Sequence, residues 1–438
     1  MPQTVEHFEI CRLLGVRDGL IVLTKKDVVE PEWLDMVSEE VRDFFAGSFL
    51  ENAPIVPVNA ITGEGVDEIV RLLDAKVAAL NFHEEFGPFR MAVDRVFTMK
   101  GFGTVITGTS LAGRIETGAE LMFYPGGLTA KIRGIQVHGK EVDLVEAGHR
   151  TAINLQGIEK EQINRGDMAA TPGSLIASTL LDAEFHHLQS ARKELKNRTQ
   201  VRVHLGTREI VGRIALLESD TLAPGATTHI QLILQEPVAV WPGDRYVIRS
   251  YSPITTIGGG AILNSAPRKR KRTLERDRIA NQAHFARLAE ADSEQKLLIL
   301  AEEAGGKGIT ADQLAARTGV FSKKLKKQLQ HPISTGALVL VDSESQRMLA
   351  ATVAEGINRQ IADLLAAFHR NNPLKPGLAK EELRSQLRPA VDQKVLAALL
   401  AALVKKGVLE QVGAEVKLGG HTVDRKSTRL NSSHITIS

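Results

Sequence analysis

The 438 residues hold a single cysteine, Cys11, so no internal disulfide can form, and its neighbours Phe8 and Ile10 mark the thiol as a buried one. No stretch approaches the roughly 18 consecutive apolar residues that a membrane-spanning helix needs, and no charged-then-apolar leader opens the chain. A cytoplasmic protein without a membrane partner is expected. G-x-x-x-x-G-K-[ST] occurs nowhere, which takes away the glycine loop, the phosphate-binding lysine and the Mg²⁺-binding hydroxyl of that class of nucleotide site. The pair His186-His187 has no second ligand cluster at metal spacing, so it reads as a strand end and turn, and no metal site is expected. Neither sign of charge dominates, the net being +3, yet the charge is unevenly spread. Residues 1–83 carry 7 Lys/Arg against 15 Asp/Glu, whereas residues 266–330 carry 15 against 8. The two parts must meet different partners, and the basic one reads either as a polyanion contact or as a solvated face.

The length exceeds one domain, and 43% hydrophobic residues allow ordinary soluble cores, so roughly three to five units are expected. Residues 91–121 alternate Val, Phe, Ile and Thr with polar neighbours, and Gly101, Gly103, Gly108, Gly113 and Gly118 supply the positive φ angles that tight turns need. This is the pattern of a small closed barrel. Residues 176–265 give a second β-rich unit, in which Gly258-Gly259-Gly260 reads as a barrel corner. Further on, Gly308-Ile309-Thr310-Ala311-Asp312-Gln313-Leu314 recurs 69 residues later as Gly377-Leu378-Ala379-Lys380-Glu381-Glu382-Leu383. Each copy is preceded by a helix and followed by a helical and then a β-prone stretch, which makes two tandem winged helices. Such folds lay a helix on nucleic acid, and Lys323, Lys324, Lys326 and Lys327 suit that role in the first copy. In the second, Leu396, Leu399, Leu400, Leu403 and Val404 are core. The run Arg268, Lys269, Arg270, Lys271, Arg272 opens a helical segment and reads as a contact to RNA phosphates or as a solvated linker.

Near the start, residues 21–23 and 56–58 are short buried-strand signals, each delivering polar residues at its C-terminal end: Thr24-Lys25-Lys26-Asp27 and Asn59-Ala60. In an open parallel α/β sheet those ends line one crevice, where ligands bind.

The wording of these segments carries a resemblance over residues 1–418. VDRVF, KGFGTVITGT and G-x-I-x-x-G, with Gly148-His149-Arg150 and R-S-Y-S-P-x-x-T-I-G-G-G, resemble the selenocysteine-specific elongation factors, a branch of the Tu-like translational GTPases. Thr24-Lys25-Lys26-Asp27 resembles the guanine-reading N/T-K-x-D motif. That resemblance implies an Asp27 carboxylate accepting from guanine N1 and N2, a Lys25 stem over the ring, and the Ala60 backbone N–H on O6, with Asn59 where the companion motif has Ser. It also implies GTP and Mg²⁺ as ligands of the intact family. The D-x-P-G-H element is missing together with the phosphate loop, and Met1-Pro2-Gln3-Thr4 resembles an interior stretch of the intact factor. The expectation is therefore a chain truncated at both ends that binds no cofactor and has no catalytic residue.

The same resemblance places Arg95 and Arg150 around the selenocysteine side chain. A selenol is ionised at neutral pH and a serine hydroxyl is not, so two guanidiniums favour the former; a surface ion pair with Asp94 is the alternative. The implied partners are selenocysteinyl-tRNA and the ribosome. A messenger-RNA hairpin is a partner only of the intact factor, whose fourth winged helix reads it. The expected fold is multidomain α/β + β + α. It comprises part of a GTPase domain (1–83), two β-barrels (84–173 and 174–265), two tandem winged helices (266–350 with a linker helix, and 351–420) and a disordered, non-native tail (421–438). The rival readings are a winged-helix nucleic-acid-binding regulator with barrel partner domains, and another Tu-like factor.

Overall fold

The computed structural model describes residues 2–79, 87–101 and 103–421. The expected tail beyond His421 and the Phe86 side of the first domain break lie outside the described residues. The chain divides into two units, Met1–Ala170 with Thr179–Val238 and Gly243–Leu263, and Thr171–Ser178 with Ala239–Pro242 and Asn264–Ser438.

In the first unit, strands Ile21–Thr24 and Ile55–Val58 pair in parallel, Thr24 opposite Val58, so the loops that follow them emerge side by side. Helices Pro31–Phe45 and Val66–Ala79 connect and follow these strands. Phe8, Phe44, Phe45 and Phe49 form an aromatic cluster with ring centroids 4.8 to 5.8 Å apart. Helix Pro2–Leu13 docks on the second barrel: Leu13 packs with Leu188 and Val247, while Glu6 accepts from Arg249 and Thr256 at 3.0 Å each. Cys11 is half-buried on this helix, less enclosed than its neighbours suggested.

Strands Arg150–Gln156, Gly103–Ala112, Arg90–Met99, Met168–Ala170, Glu120–Tyr124 and Leu128–Val137 form one sheet in that order, and the last pairs back to the first, which closes the barrel. Burial alternates along Arg150–Gln156, with Thr151, Ile153 and Leu155 pointing inward, as a period of two requires. Four of the five glycines named above have positive φ. Gly108 does not; it sits mid-strand, where a Cβ would stand 2.3 Å from the Ala92 carbonyl. The second barrel closes in the order Ala177–His187, Thr227–Ala239, Arg208–Leu216, Gln200–Leu205, Arg245–Ser250, Thr256–Asn264. The three glycines read as a corner lie instead inside strand Thr256–Asn264, where Cβ atoms at Gly258, Gly259 and Gly260 would meet carbonyls of the flanking strands at 2.3, 2.3 and 2.1 Å. Close approach on both sides, not a turn, explains them. His186 and His187 end their strand as expected, His187 buried and bonded to the Ala223 carbonyl.

Two ion pairs join the barrels. Arg90 forks onto Asp244 with both bonds at 2.6 Å, and Arg208, itself held by Glu236 of its own barrel at 2.6 Å, reaches Asp167 at 3.3 Å. The Thr207 hydroxyl donates to the Val93 carbonyl.

The second unit contains the two winged helices, each with three helices and a three-stranded sheet of the same order. The first comprises Ser293–Ala304, Ala311–Thr318, Ser322–Ser334 and the hairpin Leu338–Asp342 with Arg347–Ala350. The second comprises Ala351–Asn371, Lys380–Gln386, Gln393–Lys405 and the hairpin Leu409–Val412 with Glu415–Leu418. The 69-residue repeat marks the short strand entering each second helix: Ile309 pairs with Met348, and Leu378 with Val416. In the first copy Thr310 and Gln313 form a reciprocal capping box. Val341 of the first hairpin packs into the second core, and Lys394 bonds Asp342, whose carboxyl is held down at about 2 by Ser345 and Lys394.

Residues 266–272 form no helix; the helix begins at Glu275. What fixes this segment is Glu303, which accepts from Arg270 at 2.8 Å, Arg317 at 2.7 Å and Asn264 at 2.9 Å. Arg270 also reaches His284 at 2.7 Å and lies over the Phe285 ring. Burial alone would push the Glu303 carboxyl up, but Arg317, Arg270 and His284 hold it below the ordinary value, while burial and Arg270 push the His284 imidazole down.

Removing one partner from so enclosed a cluster leaves the others uncompensated, so Glu303→Gln is expected to cost about 3 kcal/mol in urea unfolding. Both lowered groups bind protons more readily in the unfolded chain. Their stabilisation is therefore complete above pH 6.5 and declines as pH falls, first through His284 and then, below 4.5, through Glu303. A loss under 1 kcal/mol, or a flat pH profile, would contradict this reading of the cluster.

Candidate functional site

Three sets of sequence-predicted residues take their places on this framework. The first lies at the C-terminal ends of the two parallel strands. Lys25 adopts a left-handed backbone (φ 63°), so the chain turns sharply from strand Ile21–Thr24 into the 3₁₀ turn Lys26–Val28. Thr24, Lys25 and Asp27 are exposed there, next to the loop that begins at Asn59-Ala60. Lys26 bridges the two loops through Glu64. Asn59 is buried, and its side-chain oxygen accepts from the backbone N–H of Ile61 at 2.9 Å and of Thr62 at 3.3 Å. Its own backbone closes the loop, accepting from Gly63 and donating to Glu64. Asparagine thus shapes the loop from within, and Ala60 is left exposed beside Asp27's strand end.

The second set is at one end of the first barrel. A bulge at Asp94 in strand Arg90–Met99 turns that carboxylate toward Thr107 and Arg150. Thr107 donates to Asp94 at 2.7 Å, and Arg150 Nη1 donates to its other oxygen. Burial raises the Asp94 carboxyl, but bonds from Arg150 and Thr107 and the charge of Arg95 outweigh it, so Asp94 stays below the usual aspartate range. The structure therefore gathers Arg95 and Arg150 around one carboxylate, both side chains exposed. Arg150 engages Asp94 through a single nitrogen, and its other donors point elsewhere; Arg95 makes no hydrogen bond among the described residues. His149, which precedes Arg150 in the chain, faces His138 with ring centroids 6.5 Å apart. Sequence reasoning quoted His149 only as part of Gly148-His149-Arg150 and passed over His138, because histidines at loop ends carry no pattern.

The third set is basic. Lys323, Lys324, Lys326 and Lys327 are exposed on helix Ser322–Ser334, while Leu325 and Leu329 face the core, so the four ammonium groups form one solvent-facing surface. Arg270 must be withdrawn from the run proposed to contact phosphates, because its guanidinium is committed to Glu303, His284 and Phe285. Arg268, Lys269 and Lys271 remain exposed, and Arg272 is half-buried. The partner of Arg270 lies 33 residues along the chain, which no local pattern reveals.

Barrels of this kind, followed by winged helices, define a translation-factor class. Residues 103–170 match the family model of elongation factor Tu domain 2, residues 182–269 that of the selenocysteine-specific elongation factor β-barrel, and residues 362–418 that of the elongation factor SelB winged helix. A selenocysteine-specific elongation factor of Desulfomicrobium baculatum is 39% identical over 98% of this chain and 67% of its own length. That of Escherichia coli is 29% identical over 93% of this chain and 62% of its own. A crystal structure of a bacterial selenocysteine-specific elongation factor superposes with a TM-score of 0.75 over 99% of this chain and 66% of that one, at 24% identity. The chain belongs to the selenocysteine-specific elongation factor family, and it spans about two thirds of the length of these relatives. Membership sets aside the regulator and the other Tu-like factors. Among the described residues, no helix is long and apolar enough to cross a membrane.

If Asn59 holds its loop as described, Asn59→Ala should cost about 1 to 2 kcal/mol and speed amide exchange at Ile61 and Thr62. Asn59→Ser should recover part of that. Unchanged exchange at both amides would remove the side chain from this role.

Proposed function

We propose that the chain is the aminoacyl-tRNA-carrying part of a factor that delivers selenocysteinyl-tRNA to the ribosome in the cytoplasm. The observation that carries this reading is the exposed Arg95–Arg150 pair organised by Asp94. A selenolate approaching that end of the barrel would meet the donors that Arg150 does not spend on Asp94, together with the whole Arg95 fork. Asp94 orients Arg150 in advance and so lowers the ordering cost of binding. Serine, being neutral, would gain less.

In the same reading Thr24, Lys25, Asp27, Asn59 and Ala60 hold the guanine of GTP, which fits the side-by-side exit of their loops. A selenocysteine-specific factor of Methanococcus maripaludis, 26% identical over 59% of this chain with a TM-score of 0.53, was crystallised with the GTP analogue GppNHp. The groups that would hold phosphates and Mg²⁺ have no motif in these 438 residues. Base recognition and phosphate recognition are thus separate, and this polypeptide has only the first. The exposed lysines of helix Ser322–Ser334, with Arg268, Lys269 and Lys271, supply a sequence-independent RNA surface that weakens with salt. The functional units are taken as 1–83, 84–173, 174–265, 266–350 and 351–420, and hairpin reading belongs to neither winged helix present.

Two measurements test this. Calorimetry on the 438-residue chain should detect no micromolar GTP or GDP affinity, because most of the nucleotide's charged contacts have no counterpart here; micromolar binding would refute the division of labour. In a fusion that restores a phosphate-binding segment, Arg95→Ala or Arg150→Ala should weaken selenocysteinyl-tRNA about 10- to 100-fold, the loss of a charge-assisted bond worth ~1.5 to 3 kcal/mol, and leave seryl-tRNA nearly unchanged. Parallel losses for both tRNAs, with a lowered melting temperature, would make the arginines structural.

A further inference from the structure

A cleft of about 510 Å³ opens in the second unit where the first winged helix meets residues 390–392 of the second. Arg268, Lys307, Arg317 and Arg347 line it, facing the carboxylates Glu303 and Asp392. Glu303 is engaged through both oxygens, and Asp392 through Oδ1 alone. Glu303 accepts from Arg270, Arg317 and Asn264, and Asp392 caps helix Gln393–Lys405, accepting from the N–H groups of Lys394 at 2.9 Å and Val395 at 3.4 Å. Arg317, Arg347 and Lys307 are less well matched. Arg317 is only 8% exposed, and its Nη2 serves Glu303 and Asn264, yet its Nε has no hydrogen-bond partner. Arg347 gives Nη1 to the Lys307 carbonyl at 2.7 Å, and its buried Nε is likewise unpartnered. Lys307 is exposed and forms no ion pair among the described residues.

A cleft of small-ligand size lined by four cations, two of them guanidiniums whose hydrogen bonding is incomplete, favours an anion with several oxygens. We propose that this cleft binds a phosphoryl group, either a phosphate of an RNA backbone or that of a free polyphosphate. A phosphoryl oxygen can accept from each arginine while the Lys307 ammonium answers the remaining charge. The site also has a mechanical consequence. Lys307, Arg317 and Arg347 belong to the first winged helix, whereas residues 390–392 lead into the third helix of the second, and the Asp392 N–H already donates to the Gly306 carbonyl. An occupant would strengthen that joint and hold the two modules as one body. This inference stands independently of the selenocysteine pocket.

The test uses the full chain and inorganic pyrophosphate, followed by ³¹P NMR and calorimetry. One saturable site is expected, weakened about tenfold by Lys307→Gln and by Arg347→Gln, while Lys405→Gln with Lys406→Gln, exposed and outside the cleft, leaves it unchanged. Lys307 is exposed, so its variant keeps the test alive should Arg347→Gln lower the melting temperature. A short single-stranded RNA is then added. Displacement of pyrophosphate that depends on Lys307 identifies the ligand as an RNA phosphate; RNA binding without displacement identifies a free polyphosphate. Absence of saturable binding, or binding indifferent to both cleft substitutions, would overturn the proposal.

Discussion

An arginine taken out of water needs an anion, and the architecture of this chain rests on how that requirement is met. Arg90 meets it with a forked bond to Asp244, which joins the two barrels. Arg270 and Arg317 share Glu303, which ties an irregular segment to two helices of the first winged helix. In each case the carboxylate comes from a different element, so the pair closes tertiary structure. Arg95 and Arg150 also gather on one carboxylate, Asp94, but both guanidiniums are exposed and keep donors that no protein group takes up. Exposure of the guanidinium, not the number of anions it shares, separates Arg90 and Arg270 from Arg95 and Arg150.

The same accounting explains which features could be read from sequence. Barrel strands are legible because side-chain alternation is local, and the winged helices because a seven-residue signature repeats at a fixed distance. Arg270 was not legible: its run of five basic residues looks uniformly solvent-facing, and only the distant Glu303 turns one of them inward. Glycines were legible as special positions but not as to the reason. Positive φ at Gly101 and close backbone approach at Gly260 leave the same letter in the sequence. Asn59 was recognised as a departure from the usual serine, yet its loop-closing bonds depend on where residues 61 and 62 return, which spacing alone does not give.

The tandem winged helices show how repetition in sequence diverges in use. In the second copy, helix Gln393–Lys405 buries Val395, Leu396, Leu399, Leu400 and Leu403, and its exposed Lys394 reaches Asp342 of the first copy's hairpin. The helix that such folds lay on nucleic acid is here spent on the neighbouring module. In the first copy the equivalent helix, Ser322–Ser334, buries only Leu325, Leu329 and Pro332 and leaves four lysines in solvent. The duplicated fold has therefore split its duties. One copy supplies a clamp and the other a charged surface.

That division bears on how the basic surface can act. Lysines on a helix fixed only by its own module could tilt with it, and their combined field would blur. Because Val341 packs on the second core and Lys394 holds Asp342, the turn end of the hairpin beside helix Ser322–Ser334 is anchored to the second module. Under the proposed RNA contact, a rigid row of ammonium groups would meet successive phosphates with little further ordering cost, and the apolar packing of the second copy would then contribute to binding by the first. Affinity for RNA would then depend on residues such as Leu399 and Leu400 that never approach it, since loosening that core releases the hairpin and with it the row of charges.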